Sequence, residues 1–178
     1  MRSKKPLPKA TFESAWALLQ ESIKDTKELK ESVKAMQKEI GGIGLSNGEV
    51  AESYFRNSIE NSMSFAGQKY NDIDHNLRRK RKVLKLQGEY DLVLYNCNSV
   101  VIIEIKYKAR KEDVDDLLKK APVFKQLYPQ YANFDMYLGL AALHFEENSE
   151  KESIKQGIAV IKQVGDNMVI NDEHLKIF

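Results

Sequence analysis

Apolar positions along the chain change their spacing several times, and each change marks an element. Between Thr11 and Ile40 there is no Gly or Pro, and Trp16, Leu19, Ile23, Val33 and Ile40 recur loosely at helical spacing amid Glu and Lys. This predicts a long, highly charged helix. Its apolar stripe is broken by Lys30 and Gln37 and is too thin to hold an isolated helix together. The helix therefore either lies against the rest of the chain as a solvated rod or pairs with another helix, a second copy of itself included. Gly41, Gly42 and Gly44 predict a helix stop and a hinge. Ser46-Asn47-Gly48-Glu49 then has the form of a capping box, opening a second helix to about Asn61 with Val50, Ala51, Tyr54, Phe55 and Ile59 on its core side. The polar stretch Ser62 to Asn76 reads as loop.

Strand patterns follow at Val83 to Leu86, Tyr90 to Tyr95 and Val100 to Tyr107, and the turn residues Asn96-Cys97-Asn98-Ser99 join the last two as an antiparallel hairpin. From Glu112 to Tyr131, Val114, Leu117, Leu118, Ala121, Phe124 and Tyr128 are helically spaced, with Pro122 expected to kink or split the helix. Phe134 to Phe145 is a continuous apolar run, the pattern of a strand buried on both faces. Glu146 to Gln156 reads as a charged helix or loop. Ile158 to Val164 and Met168 to Ile170 form a hairpin through Gly165-Asp166-Asn167. The order predicts an α/β fold with a mixed central sheet. Residues 1–10, with Arg2, Lys4, Lys5, Lys9 and two prolines, form a basic tail; 11–43 form the helix and hinge; 44–178 form the main domain.

Composition narrows the class. With 178 residues, 42% hydrophobic and 30% charged, the chain can bury one core of useful size and is not wholly disordered. The longest apolar run, Leu138 to Leu143, is far too short to span a bilayer, so no membrane partner is expected. The opening MRSKKPLPKATF lacks an apolar stretch behind its cations, which argues against secretion. Cys97 is the single cysteine and no Cys/His cluster has zinc-site spacing, so a reducing cytoplasm is the expected setting. Net charge is only +2, but it hides segregation: Arg78, Arg79, Lys80, Arg81 and Lys82 are consecutive, and Glu112, Asp113, Asp115 and Asp116 crowd a later segment.

The hairpin carries the candidate chemistry. A turn centred between Cys97 and Asn98 places Asp91 opposite Glu104, Glu89 opposite Lys106 and Tyr95 opposite Val100. Facing residues share one side of the sheet with Cβ atoms about 5 Å apart, where like charges are destabilising. A divalent cation resolves that conflict, because magnesium takes one or two carboxylates at about 2.1 Å together with waters and a substrate phosphate. Lys106, on the same side, would orient or deprotonate a water or hold charge on a phosphate. The alternative is a solvated polar patch in which Lys106 pairs with Glu89 or Glu104.

Asp91 followed by Glu104-Ile105-Lys106 at the end of an apolar strand resembles the PD-(D/E)XK nuclease superfamily, with its Asp…Glu-x-Lys signature on such a hairpin. Gly88 to Tyr95 and Val100 to Tyr107 look like that family's central strands, and the resemblance covers roughly Gly44 to Phe145. The long charged helix and Gly-rich hinge look like a group of bacterial members related to archaeal junction resolvases. The resemblance implies a restriction-endonuclease-like αβββαβ core and metal-dependent hydrolysis of DNA phosphodiesters. It implies that Asp91 and Glu104 bind Mg²⁺ or Mn²⁺ with the Ile105 carbonyl as a further ligand, and that Lys106 assists hydrolysis. Many members add a Glu from the first core helix. Glu52 is favoured over Glu49, which is already engaged in the capping box; the plain alternative for Glu52 is an i,i+4 ion pair with Arg56.

The match departs from the family in two places. Tyr90 stands where the signature has proline, and the Gln-x-x-x-Tyr motif of one branch is not matched at Gln126. Arg78, Arg79, Lys80, Arg81 and Lys82, extended by Lys108, Arg110 and Lys111 and by Lys119 or Lys120, are expected to touch the backbone of DNA without reading bases. A homodimer through residues 11–40 would suit two cuts. The rival function is a catalytically silent nucleic-acid-binding or scaffold module of the same fold that oligomerises through its N-terminal helix. His75, His144 and His174 are scattered and read as structural, Cys97 has no base beside it, and no phosphate-cradling glycine loop occurs.

Overall fold

The structure, a computed structural model, describes residues 12–178, excepting the side chains of 12–19, 28, 29 and 32–45. The basic tail and most of the predicted apolar stripe of the first helix lie outside the described residues. The chain divides into two compact units, Met1–Leu45 and Ser46–Phe178. Helix α1 is assigned over Phe12–Ser62, which corrects both the stop expected at Gly41, Gly42 and Gly44 and the N-cap expected at Ser46. Glycine inside a helix costs about 1 kcal/mol against alanine, but it keeps its N–H and so weakens the ladder without interrupting it. Ser46 and Glu49 are thus interior helix positions, with no capping box between them.

Ser62 to Asn76 is more than loop. It holds β1 (Ser64–Phe65) and β2 (Gln68–Lys69), which pair with each other, and the start of β3 (Asp72–Arg81). The first long strand is therefore not Val83 to Leu86: Arg78–Arg81 belong to β3, and Lys82–Lys85 turn the chain into β4 (Leu86–Tyr95). Strand β3 is half-exposed along its length and polar on both sides, so the hydrophobic alternation that normally betrays a strand is weak. The remaining elements are β5 (Ser99–Ala109), α2 (Lys111–Leu127), a 3-10 turn at Pro129–Tyr131, β6 (Asp135–Phe145), α3 (Glu147–Gln156), β7 (Ala159–Val164) and β8 (Asn167–Asn171). Helix α2 passes through Pro122 unbroken and stops four residues before the predicted end, because Tyr128, preceding Pro129, leaves the helical region at φ −123, ψ 72.

The sheet is mixed, with six strands in the order β3-β4-β5-β6-β7-β8. Pairs β5–β6 and β6–β7 are parallel and the others antiparallel. Both faces are covered, as a mixed α/β fold requires. Phe124, Leu117 and Val114 of α2 pack on one face with Val93, Ile102 and Leu140; Phe55, Ile59 and Ala51 of α1 pack on the other with Leu92, Val101 and Ile103. Among the described residues no helix is long and apolar enough to cross a membrane.

Candidate active site

The β4–β5 hairpin takes the register predicted from its turn, with Tyr95 opposite Val100 and Leu92 opposite Ile103. Its turn is fixed by Asn96, whose Oδ1 accepts from the backbone N–H groups of Asn98 (3.0 Å) and Ser99 (2.7 Å). Pairing stops one step before Asp91 would meet Glu104. Instead Asp91 Oδ2 accepts the Ile105 N–H at 2.8 Å, so a side chain takes over where the backbone ladder ends. Glu89, expected opposite Lys106, lies beyond that end and accepts a 2.5 Å hydrogen bond from Arg78 on β3.

The other neighbour of β4 is irregular at the same level. His75 pairs with Leu92 and Leu77 with Tyr90, but the intervening Asn76 and Asp91 do not pair, and Asn76 has φ 48. An asparagine tolerates this left-handed conformation where most side chains do not. Across that step the pleat changes sides. Leu92 and Leu94 pack on the α1 face, whereas Tyr90 packs on the α2 face, its ring 5.1 Å from Phe124 and edge-on to it. Asp91 sits at the break, released from both neighbouring ladders.

Asp91, Glu104 and Lys106 line one cleft of about 440 Å³ together with Gly88, Tyr90 and Lys120 of α2. Of the charged groups Glu104 is the most enclosed, its side chain 10% exposed. Lys106 donates to its Oε1 at 2.8 Å, and Lys120 donates to its Oε2. Lys120 also lies 5.8 Å above the Tyr90 ring. Burial first, and then the neighbouring Glu104, push the Asp91 carboxyl up to about 6, against the opposing pull of the Ile105 N–H, Lys120 and Lys106. Burial would lower Lys106, but Glu104 and, further off, Asp91 and Asp113 outweigh it and hold the ammonium above its usual range. Lys106 is thus held in its charged form, which suits it to stabilising negative charge.

Two carboxylates converging in one cleft, one of them raised in pKa first by burial and then by the other, are the hard oxygen donors that magnesium or manganese accepts. The residues present fit such an ion with waters or a phosphate completing its shell. Among the described residues no cluster of three or more His, Cys, Asp or Glu has metal-holding geometry. Glu52 is not among the cleft residues; its carboxylate lies 3.7 Å from Arg56, the i,i+4 pair that was the plain alternative. The basic residues separate into two groups. Arg78, Arg79 and Lys80 line a second cleft of about 440 Å³ that shares Gln87, Gly88 and Glu89 with the first. Lys108 and Arg110, at the far end of β5, instead approach Glu146 at 2.9 and 4.0 Å, and Lys111 opens α2. His75 bonds Glu60 at 2.6 Å and His174 the Ile158 carbonyl at 2.7 Å, while His144 packs edge-on to Tyr107.

Sequence reasoning left Lys119 and Lys120 equivalent and did not connect either to Glu104. The signal that separates them was present: Lys120 is three residues after Leu117 and four before Phe124, both buried, so it shares their stripe. Lys119 also lines the cleft, but it pairs with Asp116 at 2.7 Å instead of reaching Glu104. Comparison with protein-family models, with curated proteins and with solved structures finds no match.

Proposed function

We propose that the Asp91–Glu104 cleft is the site of a metal-dependent phosphodiesterase acting on DNA, of the PD-(D/E)XK type. One observation carries the reading: two carboxylates from adjacent strands enter one cleft where the strands stop pairing, with two ammonium groups beside them. The order α1, β3, β4, β5, α2, β6, with the short β1–β2 pair set between α1 and β3, supports reading this region as the αβββαβ core that the sequence resemblance implies. In this reading Asp91 and Glu104 hold Mg²⁺ or Mn²⁺, the Ile105 carbonyl is a further ligand, and Glu52 has no direct part. The ion supplies Lewis-acid activation of water and phosphate. Lys106 and Lys120 neutralise charge on the phosphate as it is cleaved, from a partly dry setting where such charges act strongly.

Calorimetry with Mn²⁺ tests this without a chosen substrate. The intact protein should bind the ion and Asp91→Ala should not, with both equally folded by circular dichroism; Asp91→Ala, Glu104→Ala and Lys106→Ala should each abolish DNA cleavage. Mn²⁺ binding that survives Asp91→Ala would remove the site. The second reading, a binding module without catalysis, is favoured by the two lysines that already occupy both oxygens of Glu104. It predicts DNA binding that is unchanged by a chelator and by Asp91→Ala. In either reading residues 11–40 pair with a second copy.

A further inference from the structure

Beyond Tyr90 the β4 strand pairs with β3 alone, so residues 77–90 form a two-stranded ribbon leaving the body of the sheet. None of residues 78–89 is buried. The ribbon ends in the turn Lys82-Val83-Leu84-Lys85, closed by the Lys85 N–H donating to the Lys82 carbonyl at 3.1 Å, with Lys85 at φ 52. Gly, Asn, Asp and Ser are the residues such turns favour. Here the two central positions are Val83, 95% exposed, and Leu84, 48% exposed. Neither packs into the two cores, so folding does not explain them.

The apolar tip is ringed by charge of one sign. Arg78, Arg79, Lys80, Arg81, Lys82 and Lys85 lie on the ribbon with a single acid, Glu89, which Arg78 already holds. Clefts of about 440, 440 and 400 Å³ run in sequence from Asp91 and Glu104 to the tip, each sharing Gln87 with the next. A partner for this surface must be strongly anionic along about five residues of ribbon and must offer an apolar slot at its end. Duplex DNA does both: its grooves admit a two-stranded ribbon flanked by phosphates, and apolar side chains wedge between its base steps.

We propose that the β3–β4 ribbon enters a groove of duplex DNA and that Val83 and Leu84 wedge between base pairs. The cations along the ribbon hold the flanking phosphates, and the cleft at its root receives the backbone. This rests on DNA being the partner in the function proposed above and adds the mode of engagement.

The test uses the intact chain in EDTA with a duplex carrying 2-aminopurine, whose fluorescence rises on unstacking. Binding should raise the signal. Val83→Ser/Leu84→Ser should lose that rise and weaken affinity about tenfold, the effect of about 1.4 kcal/mol, with the salt dependence unchanged. Arg81→Gln/Lys82→Gln/Lys85→Gln should instead make the log–log salt slope shallower by about 3. Each variant changes exposed or half-exposed ribbon residues only, and retained Mn²⁺ heat and circular dichroism confirm that the cleft and fold persist. Unchanged fluorescence and affinity in the tip variant, with Mn²⁺ binding intact, would overturn the wedge and leave the metal site standing. No duplex binding by the intact chain at low salt would overturn the wedge and the DNA reading together. Tip-dependent binding to phosphatidylserine vesicles without tip-dependent DNA binding would overturn it in favour of a membrane surface.

Discussion

At Asp91 a proton and a divalent cation would compete for the same oxygens, and the competition has a calculable sign. The carboxyl is raised from 3.8 to about 6 by burial and by Glu104, so between those values the folded state holds more protons than the unfolded chain. Stability from this group is therefore full below about pH 4 and falls as pH rises through about 6, by on the order of 2–3 kcal/mol. Asp91→Asn removes the titration while retaining an oxygen for the Ile105 N–H. Thermal melts of the two proteins should agree near pH 4 and diverge above pH 6, with the variant more stable. A difference of the opposite sign would place the Asp91 pKa below normal. Mn²⁺ binding should run the other way, weakening by up to about tenfold per pH unit below about 6 as the proton displaces the ion. Lys120 belongs to the same balance. Lys120→Met frees Glu104 Oε2 and removes a positive charge from the cleft, so Mn²⁺ should bind more tightly while a phosphate ligand binds less well. Calorimetry with Mn²⁺ and with inorganic phosphate checks both signs.

At the scale of the strand, Gly88 shows how closely the ribbon root is packed. A Cβ there would fall 2.7 Å from Tyr90 Cε2 and 2.8 Å from Cζ. The ring cannot yield cheaply, because Tyr90 is fully buried and fixed edge-on against Phe124 and Tyr128. Gly88→Ala should therefore destabilise the protein by about 1–3 kcal/mol in urea unfolding, against no measurable loss if the ring turns freely. Strands differ in how much of this was legible beforehand. Val100 to Ile103 are apolar because β5 is buried on both faces, and the Asn96 turn pins the hairpin register, so Asp91, Glu104 and Lys106 could be placed together from spacing. Strand β3 was misplaced because its inward positions include Arg79, whose guanidinium lies 4.7 Å over the Tyr128 ring, and polar residues line both sides. The break at Asn76 that turns Tyr90 and the Asp91 level toward α2 is a backbone event with no periodic signature. Glycines at 41, 42 and 44 misled in the other direction, since glycine weakens a helix without forbidding it.

Across the whole molecule, six of the 28 basic residues lie between Arg78 and Lys85 although the net charge is only +2, so the rest of the chain is net acidic. A polyanion is consequently drawn most strongly to the ribbon, which orients the encounter before any contact forms. In the function proposed above one ribbon and one cleft would serve one strand, and a two-fold pair of chains would present two of each to a duplex. Helix α1 is the element proposed to make that pair. In the unit Met1–Leu45, Gln20 to Lys27 are all exposed, and Ile23, on the predicted apolar stripe, is 62% exposed. On the sequence, a stripe this thin cannot hold an isolated helix together and gains its burial only against another helix. Light scattering on the intact chain should therefore give twice its 20.5 kDa mass, while a chain beginning at Ser46, which keeps Ala51, Phe55 and Ile59 for its core, should give a monomer of unchanged sheet content. An intact chain that stays monomeric at tens of micromolar would refute the pairing, because a dimer weaker than that could not hold two ribbons on one duplex at cellular concentrations.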